Sequence, residues 1–226
     1  MQPISVLAMV ATLATALHAQ VTTLDEGSFT IMRGTDRVGR EDFSIRKSIS
    51  PSGTTFIAHG VVALGPKRIE PVLKSDSAGN VSEYDSEIRE SGRVSVSYAG
   101  KLARDHYHAR ILRIDGESSR EFRLPPGTVA VEDEIIHQLW FIARRGPGAS
   151  VPVLSPLRSA VETVHVELVG DEHLSIDSKD FETRHLRLRT EGTGAIRDVW
   201  IDAAGRLLKV MIPATKIVAV RDESPR

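Results

Sequence analysis

The stretch that decides the fold is residues 198–212, which read DVWIDAAGRLLKVMI. Apolar and polar residues alternate on both sides of the central DAAG, and a glycine at the end of such a turn takes positive φ at little cost. The stretch therefore predicts a β-hairpin with its turn at residues 202–205. The same succession of strand and polar turn recurs from Phe29 to the C-terminus, so we expect a mainly β protein.

The first hairpin of this kind shows the alternation clearly. Phe29 and Ile31 alternate with polar residues before a turn at residues 33–39, and Phe43 and Ile45 continue the pattern after it. A period of two is typical of antiparallel strands with one buried face. Across the chain, the pattern predicts a strongly curved antiparallel sheet, a half-barrel or open barrel of about 10–13 strands.

One helix is predicted, at about residues 131–145. Acidic residues 132–134 fill its first turn and Arg144 and Arg145 its last, which suits the helix dipole. The segment GPG at 146–148 would end it. Its apolar positions are spaced for burial over more than half of the circumference. We therefore expect the helix to lie against the concave side of the sheet, with His137 on its exposed side.

The N-terminal segment predicts export. Residues 4–17 form an apolar run without charge, and small residues at 14–16 and 17–19 offer cleavage sites. We expect a signal peptide at 1–19 and a single β-rich domain at 20–226. The chain has no cysteine, which excludes disulfides and thiolate metal sites. A periplasmic or secreted protein without a transmembrane anchor in the mature chain is predicted.

Charge and motifs exclude several kinds of function. The 29 Lys and Arg residues balance 30 Asp and Glu residues, with both signs interspersed, so the sequence predicts no nucleic-acid partner. It contains no phosphate-binding loop, dinucleotide glycine fingerprint, Gly-x-Ser-x-Gly elbow or His-Glu-x-x-His motif. It therefore predicts no cofactor and identifies no enzymatic activity.

Two short constellations leave alternatives open. His106 and His108 would share one face of a strand, as metal ligands can, so a metal-dependent enzyme using this pair is one alternative. With Gly100 they match the opening of the cupin metal motif, but the glutamate that should follow is missing. Asp198 and Asp202 flank Trp200 as a carboxylate pair might. We interpret Asp202 as the start of the turn and Asp198 as facing solvent.

Aromatic residues are few, and most lie in strongly apolar segments. They are compatible with a filled core or with an apolar cavity between sheet and helix. The candidate cavity-lining residues are Phe29, Phe43, Phe56, Ile136, Trp140 and Trp200.

Both ends of the chain resemble a known kind of protein. Residues 29–45, with a first strand, a turn, Val-Gly-Arg-Glu and a second strand, and residues 198–210 look like the ends of uncharacterised secreted bacterial proteins. The order of strands, buried helix and strands is similar to the lipoprotein-carrier-like half-barrels of the bacterial envelope. This resemblance implies a curved sheet around helical material, whose concave face shelters acyl chains in the carriers. It transfers no functional residue.

These observations predict a soluble envelope protein that binds a lipid-like, apolar or amphiphilic ligand on the concave side of its sheet, or binds another envelope protein. The alternatives are the metal-dependent enzyme and a structural or partner-binding module with a filled core, which could add a strand at a sheet edge.

Overall fold

The computed structural model describes residues 20–51 and 53–225, and the predicted signal peptide at 1–19 lies outside them. Strands make up most of the described chain. They are β1 (Gln20–Arg33), β2 (Asp36–Ser50), β3 (Gly53–Leu64), β4 (Lys67–Ser75), β5 (Val81–Glu90), β6 (Arg93–Ala103), β7 (His106–Arg113), β8 (Gly116–Arg123), β9 (Val129–Ala130), β10 (Ser150–Ser155), β11 (Ala160–Ile176), β12 (Lys179–Thr190), β13 (Ile196–Ile201), β14 (Leu207–Ile212) and β15 (Ile217–Arg221). The helical elements are the 3₁₀ helices His137–Leu139 and Pro213–Thr215 and the α-helix α1 (Trp140–Ala143).

All fifteen strands belong to one open sheet, in the order β8-β7-β6-β5-β4-β3-β2-β1-β15-β14-β13-β12-β11-β10-β9. Neighbours are antiparallel except β9 and β10, which pair in parallel through Val129 and Val153. The predicted fold class is therefore confirmed, with fifteen strands where the sequence suggested 10–13. From β1 to β8 and from β10 to β15, consecutive strands pair with one another because short turns connect them.

The two ends of the described chain meet in the middle of the sheet. β1 pairs with β15, with Phe29 opposite Arg221 and Ile31 opposite Ala219. The hairpin predicted at 198–212 is β13 and β14, and Gly205 has the positive φ of 79° that its turn requires. Asp202 starts the turn, since it accepts the backbone N–H of Gly205 through its carbonyl.

One hydrophobic core lies on the inner face of the sheet. Alternate residues of successive strands point into it, such as Phe29 of β1, Phe43 and Ile45 of β2 and Ala58 of β3. Residues 137–143 are buried without exception and fill the centre of this core. The predicted burial of the helix is confirmed, and the concave side of the sheet is occupied by the protein's own chain.

The helix is shorter than the predicted 131–145, and its start was misplaced. Residues 129–130 form β9, and regular helical structure begins only at His137. The acidic residues do not serve the helix dipole: Asp133 forms an ion pair with Arg197, and Glu134 forms one with Lys67. The end of the helix is close to the prediction because Gly146 takes a positive φ of 80° there.

A buried ion pair fixes the junction of β1 and β15. The guanidinium of Arg221 donates two hydrogen bonds to the Asp25 carboxylate, at 2.8 and 3.1 Å, and both side chains are almost fully buried. Arg221 also donates to the carbonyl oxygens of Glu26 and Leu207. The guanidinium thus has partners on β1 and β14, which ties the first strand to the closing hairpin.

Candidate functional site

A buried polar contact in the core joins β2 to the helical segment. Glu41 on β2 faces inward, in phase with Phe43 and Ile45. Its carboxylate accepts the backbone N–H of Ile136 at 2.6 Å and that of His137 at 2.8 Å, and its Oε1 lies 2.5 Å from Nδ1 of His137. Free N–H groups at a helix start need acceptors and favour negative charge. A carboxylate from a distant strand therefore caps this helix.

The His137 ring is confined by contacts with β2 and β3. Its plane stacks on Phe43 with ring centroids 5.7 Å apart, and Gly60 of β3 leaves the room that its Cε1 occupies. Nε2 makes no hydrogen bond within the described part of the chain. Both Glu41 and His137 are 0% exposed. The pair resembles the carboxylate–imidazole arrangement that orients a general base, but its complete burial suits it to anchoring the segment.

An apolar pocket of about 350 Å³ opens where the ends of strands β1, β3, β13 and β15 meet the start of the helical segment. We call it the end pocket. Its apolar wall consists of Ile31, Leu64, Ile136, Ile196, Ile212 and Ile217. Arg33 and Arg197 lie at its rim with Asp133 and Glu134. The pocket thus combines an apolar wall with a charged rim, as small-molecule sites commonly do.

The predicted cavity-lining residues fall into separate places. Phe29, Phe43 and Phe56 belong to the filled core: Phe29 stacks on Phe43 at 5.2 Å, and Phe56 meets Trp140 edge-on at 5.7 Å. The Arg144 guanidinium covers both Phe56 and Trp140, at 4.4 and 4.6 Å from the ring centroids. Ile136 lines the end pocket.

Trp200 is buried outside that core, among charged groups. Its ring stacks on His185 with centroids 4.2 Å apart, and its Nε1 donates to Glu172 at 2.7 Å. The ammonium of Lys209 lies over the Trp200 ring, 4.4 Å from its centroid. It therefore does not share the interior that Trp140 occupies, because the neighbouring residues Val199 and Ile201 take the inward positions of β13. The structure does not bring Trp200 together with the other five candidates.

Asp198 differs from its sequence interpretation as a solvent-facing residue. It is 1% exposed, accepts a hydrogen bond from Nε of Arg187 at 2.8 Å and lies 3.2 Å from Nε2 of His185. It does lie on the outer face of β13, but the side chains of β12 cover it. Asp202 has the predicted turn role, since its carboxylate accepts the backbone N–H of Arg206 at 2.9 Å.

His106 and His108 lie on β7, at the outer side of the sheet, with Tyr107 between them pointing inward. Each histidine faces its own carboxylate: Nδ1 of His106 is 2.8 Å from Asp105, and Nδ1 of His108 is 3.5 Å from Glu121. Across residues 20–51 and 53–225, no group of three or more His, Cys, Asp or Glu side chains is placed to hold a metal ion.

Sequence reasoning missed Glu41 and placed His137 on an exposed face. Glu41 carried a usable signal, since it stands in the inward phase of a strand whose other inward residues are apolar. A charged residue in that phase is rarely buried without a partner. No comparable signal existed for His137, because its burial depends on a contact with a strand 96 residues earlier in the chain.

Together the sheet, its filled core and the end pocket define a β-barrel-like protein. No protein-family model matches the sequence, and no curated protein matches it. Among solved structures, the chain is similar to a β-barrel-like protein of the domain of unknown function DUF1849 from Brucella abortus, at 12% sequence identity. The match has a TM-score of 0.57 and covers 88% of this chain and 95% of that chain. At this identity the likeness shows the fold alone.

Proposed function

We propose that this is an exported envelope protein that binds one small apolar or amphiphilic molecule in the end pocket. The observation that carries the proposal is the pocket itself, in which six apolar side chains surround about 350 Å³ at the ends of the central strands. This volume is at the lower end of the range of roughly 300–1,000 Å³ that is usual for ligand pockets.

The shape of the core limits the size of the ligand. Residues 137–143 fill the centre of the inner face, so a large cavity for several acyl chains does not lie there. The end pocket suits a single short chain or a ring system. The resemblance to lipoprotein-carrier-like half-barrels supports an apolar ligand, but one smaller than the acyl chains that the carriers shelter.

The rim of the end pocket supports an amphiphile with an anionic head. Arg33 is exposed there, and Arg197 lies beside it with Asp133 as its ion-pair partner. A guanidinium presents a planar set of donors that fits carboxylate, sulfonate or phosphate oxygens. The apolar part of the ligand would then contact Ile196 and Ile217 below the rim.

Binding can be tested with an amphiphilic probe, 1-anilinonaphthalene-8-sulfonate, and its displacement by decanoate. The double variant Ile196→Ser plus Ile217→Ser should bind the probe at least about tenfold more weakly. Both isoleucines are half-buried, and the probe would cover their remaining apolar surface, which is worth roughly 25 cal/mol per Å². Leu168→Ser is the matched control, since Leu168 is 54% exposed and lies away from the pocket. If the double variant and the control bind the probe with equal affinity, the end pocket is not the binding site.

Export rests on the apolar run at residues 4–17 and the small residues that follow. None of the helices in the described part of the chain has the length and apolar character needed to span a bilayer. The test is the mass of the mature protein, expressed with its full N-terminus in a two-membrane bacterium. Processing after Ala16 or Ala19 with recovery from the periplasm is expected, and an intact N-terminus in the cytoplasm would contradict export.

A partner-binding module is the weaker candidate. β8 lies at one end of the sheet, and an open edge can accept a further strand. However, the strand has charges of both signs, including Glu117, Arg120, Glu121 and Arg123. Charged edge strands are typical of proteins that avoid edge-to-edge pairing, so the observations favour the end pocket.

A further inference from the structure

A second cavity, of about 250 Å³, lies against β4 and β5 and next to residues 132–135. We call it the Glu132 cavity. We propose that it binds a primary alkylammonium ion, with the ammonium group on the oxygens of Tyr84, Ser86 and Glu132. The proposal is independent of the ligand of the end pocket, although Asp133 and Glu134 lie between the two cavities and line both.

Two of the three oxygens belong to buried hydroxyl groups on neighbouring inward positions of β5. Tyr84 is 0% and Ser86 is 5% exposed, and both line the cavity. Neither hydroxyl makes a hydrogen bond of standard geometry within the described chain. Burial raises the pKa of Tyr84, and weaker contacts of its hydroxyl with Gln138 and Ser86 oppose the rise. A buried hydroxyl without a well-formed hydrogen bond costs up to about 1–3 kcal/mol, so a ligand that donates to these oxygens would reduce that cost.

The third oxygen belongs to Glu132, whose carboxylate is fixed from the other side. Its Oε1 accepts the backbone N–H of Leu157 at 2.5 Å, and its own backbone N–H donates to Gln138. The residue is 9% exposed and lines the cavity. A primary ammonium has three N–H donors and no acceptor, and these three oxygens offer one acceptor for each donor.

The remaining walls fit an alkyl chain and a positive charge. Ile69, Ile135 and Leu157 line the cavity with apolar surface that an alkyl chain can contact. The charged groups on the cavity are three carboxylates and the guanidinium of Arg158. Asp133, Glu134 and Arg158 each have an ion-pair partner, in Arg197, Lys67 and Glu162, whereas the Glu132 carboxylate contacts the Leu157 N–H. The cavity therefore favours a cation over an anion.

Protonation of Glu132 should control binding. The pKa of this carboxyl is raised to about 7, mainly by burial; the Leu157 N–H and Arg158 oppose the rise, and Asp133 and Glu134 contribute to it. The titratable and charged groups that face Glu132 are Tyr84 on β5, Tyr98 on β6, Asp133, Glu134 and Arg158. An ammonium ion would compensate the buried carboxylate, so it should bind more tightly at pH values above about 7 than below.

The test is isothermal titration of the full mature chain with n-butylammonium chloride at about pH 8, with n-butanol as the neutral analogue. We expect saturable binding of one ion per chain and no saturable binding of n-butanol. Glu132→Gln should weaken binding at least about tenfold, and Tyr84→Phe about fivefold, because hydrogen bonds to charged groups are the strong ones. Glu117→Gln is the matched control on exposed β8, where Glu117 pairs with Arg110, and it should bind as the parent does.

Circular dichroism establishes that each variant is folded before titration. Three results would overturn the proposal: no saturable binding of n-butylammonium, equal binding of n-butanol, or a folded Glu132→Gln variant with unchanged affinity. If n-butylammonium binds with equal affinity at about pH 5.5 and pH 8, Glu132 is not its counter-ion, and the proposal is overturned as well. Since Ile196 and Ile217 do not line the Glu132 cavity, its failure would leave the probe experiment on the end pocket unaffected.

Discussion

Glu41 and His137 are in contact across 96 residues of sequence: Oε1 of the glutamate is 2.5 Å from Nδ1 of the histidine, and both side chains are completely buried. The same carboxylate accepts the N–H groups of Ile136 and His137. One side chain of β2 thus satisfies the start of the helical segment and orients a buried imidazole. This contact determines where the segment enters the core of the sheet.

Replacing Glu41 should be severely destabilising. Glu41→Ala leaves the buried N–H groups of Ile136 and His137 and the imidazole Nδ1 without their partner. Each buried polar group left unsatisfied costs about 1–3 kcal/mol, which makes at least about 3 kcal/mol for the three. The free energy of unfolding, measured with urea and circular dichroism, should fall by about that amount. Glu117→Ala, which removes an exposed glutamate from its pair with Arg110, should cause no measurable change. A similar stability for both variants would contradict the anchoring role.

Gly60→Ala tests the space that the His137 ring occupies. A Cβ at residue 60 would lie 2.7 Å from Cε1 of His137 and 3.1 Å from its Nδ1, and overpacking of a core costs about 1–3 kcal/mol. Gly170→Ala is the matched control, because a Cβ there would have no atom within 4 Å. Thermal unfolding should show a lower midpoint for Gly60→Ala alone, and an unchanged midpoint would mean that the ring is not confined there.

The predictable part of the fold is the part that local patterns determine. The alternation around Phe29, Phe43 and Trp200 identified the antiparallel strands, and the glycine of the turn at 202–205 identified the closing hairpin. Gly146 located the end of the helix. The pairing of β1 with β15 could not be derived from alternation, because each strand pattern is compatible with several neighbours.

The parts that sequence missed depend on distant partners. Acidic residues 132–134 suited a helix N-terminus, but Asp133 and Glu134 have cationic partners on β13 and β4, and Glu132 is buried beside Leu157. Trp200 is buried, at 4% exposure. Its face was misassigned because His185 and Glu172, on other strands, supply its contacts. Burial can be read from local apolar pattern, whereas the side of burial depends on the neighbouring strands.

Asp198 should stabilise the polar contacts on the outer face of β12 and β13, where it meets Arg187 and His185. Its carboxylate is 1% exposed and accepts the Arg187 hydrogen bond beside His185, so Asp198→Ala should lower the free energy of unfolding by about 2 kcal/mol. Glu167→Ala is the matched control: Glu167 accepts two hydrogen bonds from Arg189, as Asp198 does from Arg187, but this pair is largely exposed. Urea unfolding should detect a loss for Asp198→Ala alone, and equal losses would show that burial is not the cause.

Glu132 should make the stability of the protein depend on pH. Burial raises the pKa of its carboxyl to about 7 from an ordinary value of 4.5, so the folded protein binds the proton more tightly than the unfolded chain does. Its contribution to folding is therefore most favourable below about pH 4.5 and declines as the pH rises through about 7. Between these limits the change amounts to roughly 3 kcal/mol. Glu132→Gln removes it, so the variant should gain stability relative to the parent as the pH rises.

Urea unfolding of both proteins at several values between about pH 5 and pH 8 measures this difference. Glu117→Gln is the control with the opposite sign, because Arg110 holds the pKa of Glu117 below its usual value. Removing that carboxyl should not stabilise the protein at high pH. If the free-energy difference between Glu132→Gln and the parent is the same at about pH 5 and pH 8, Glu132 does not titrate in this range. The pH-dependent part of ammonium binding would then lose its basis as well.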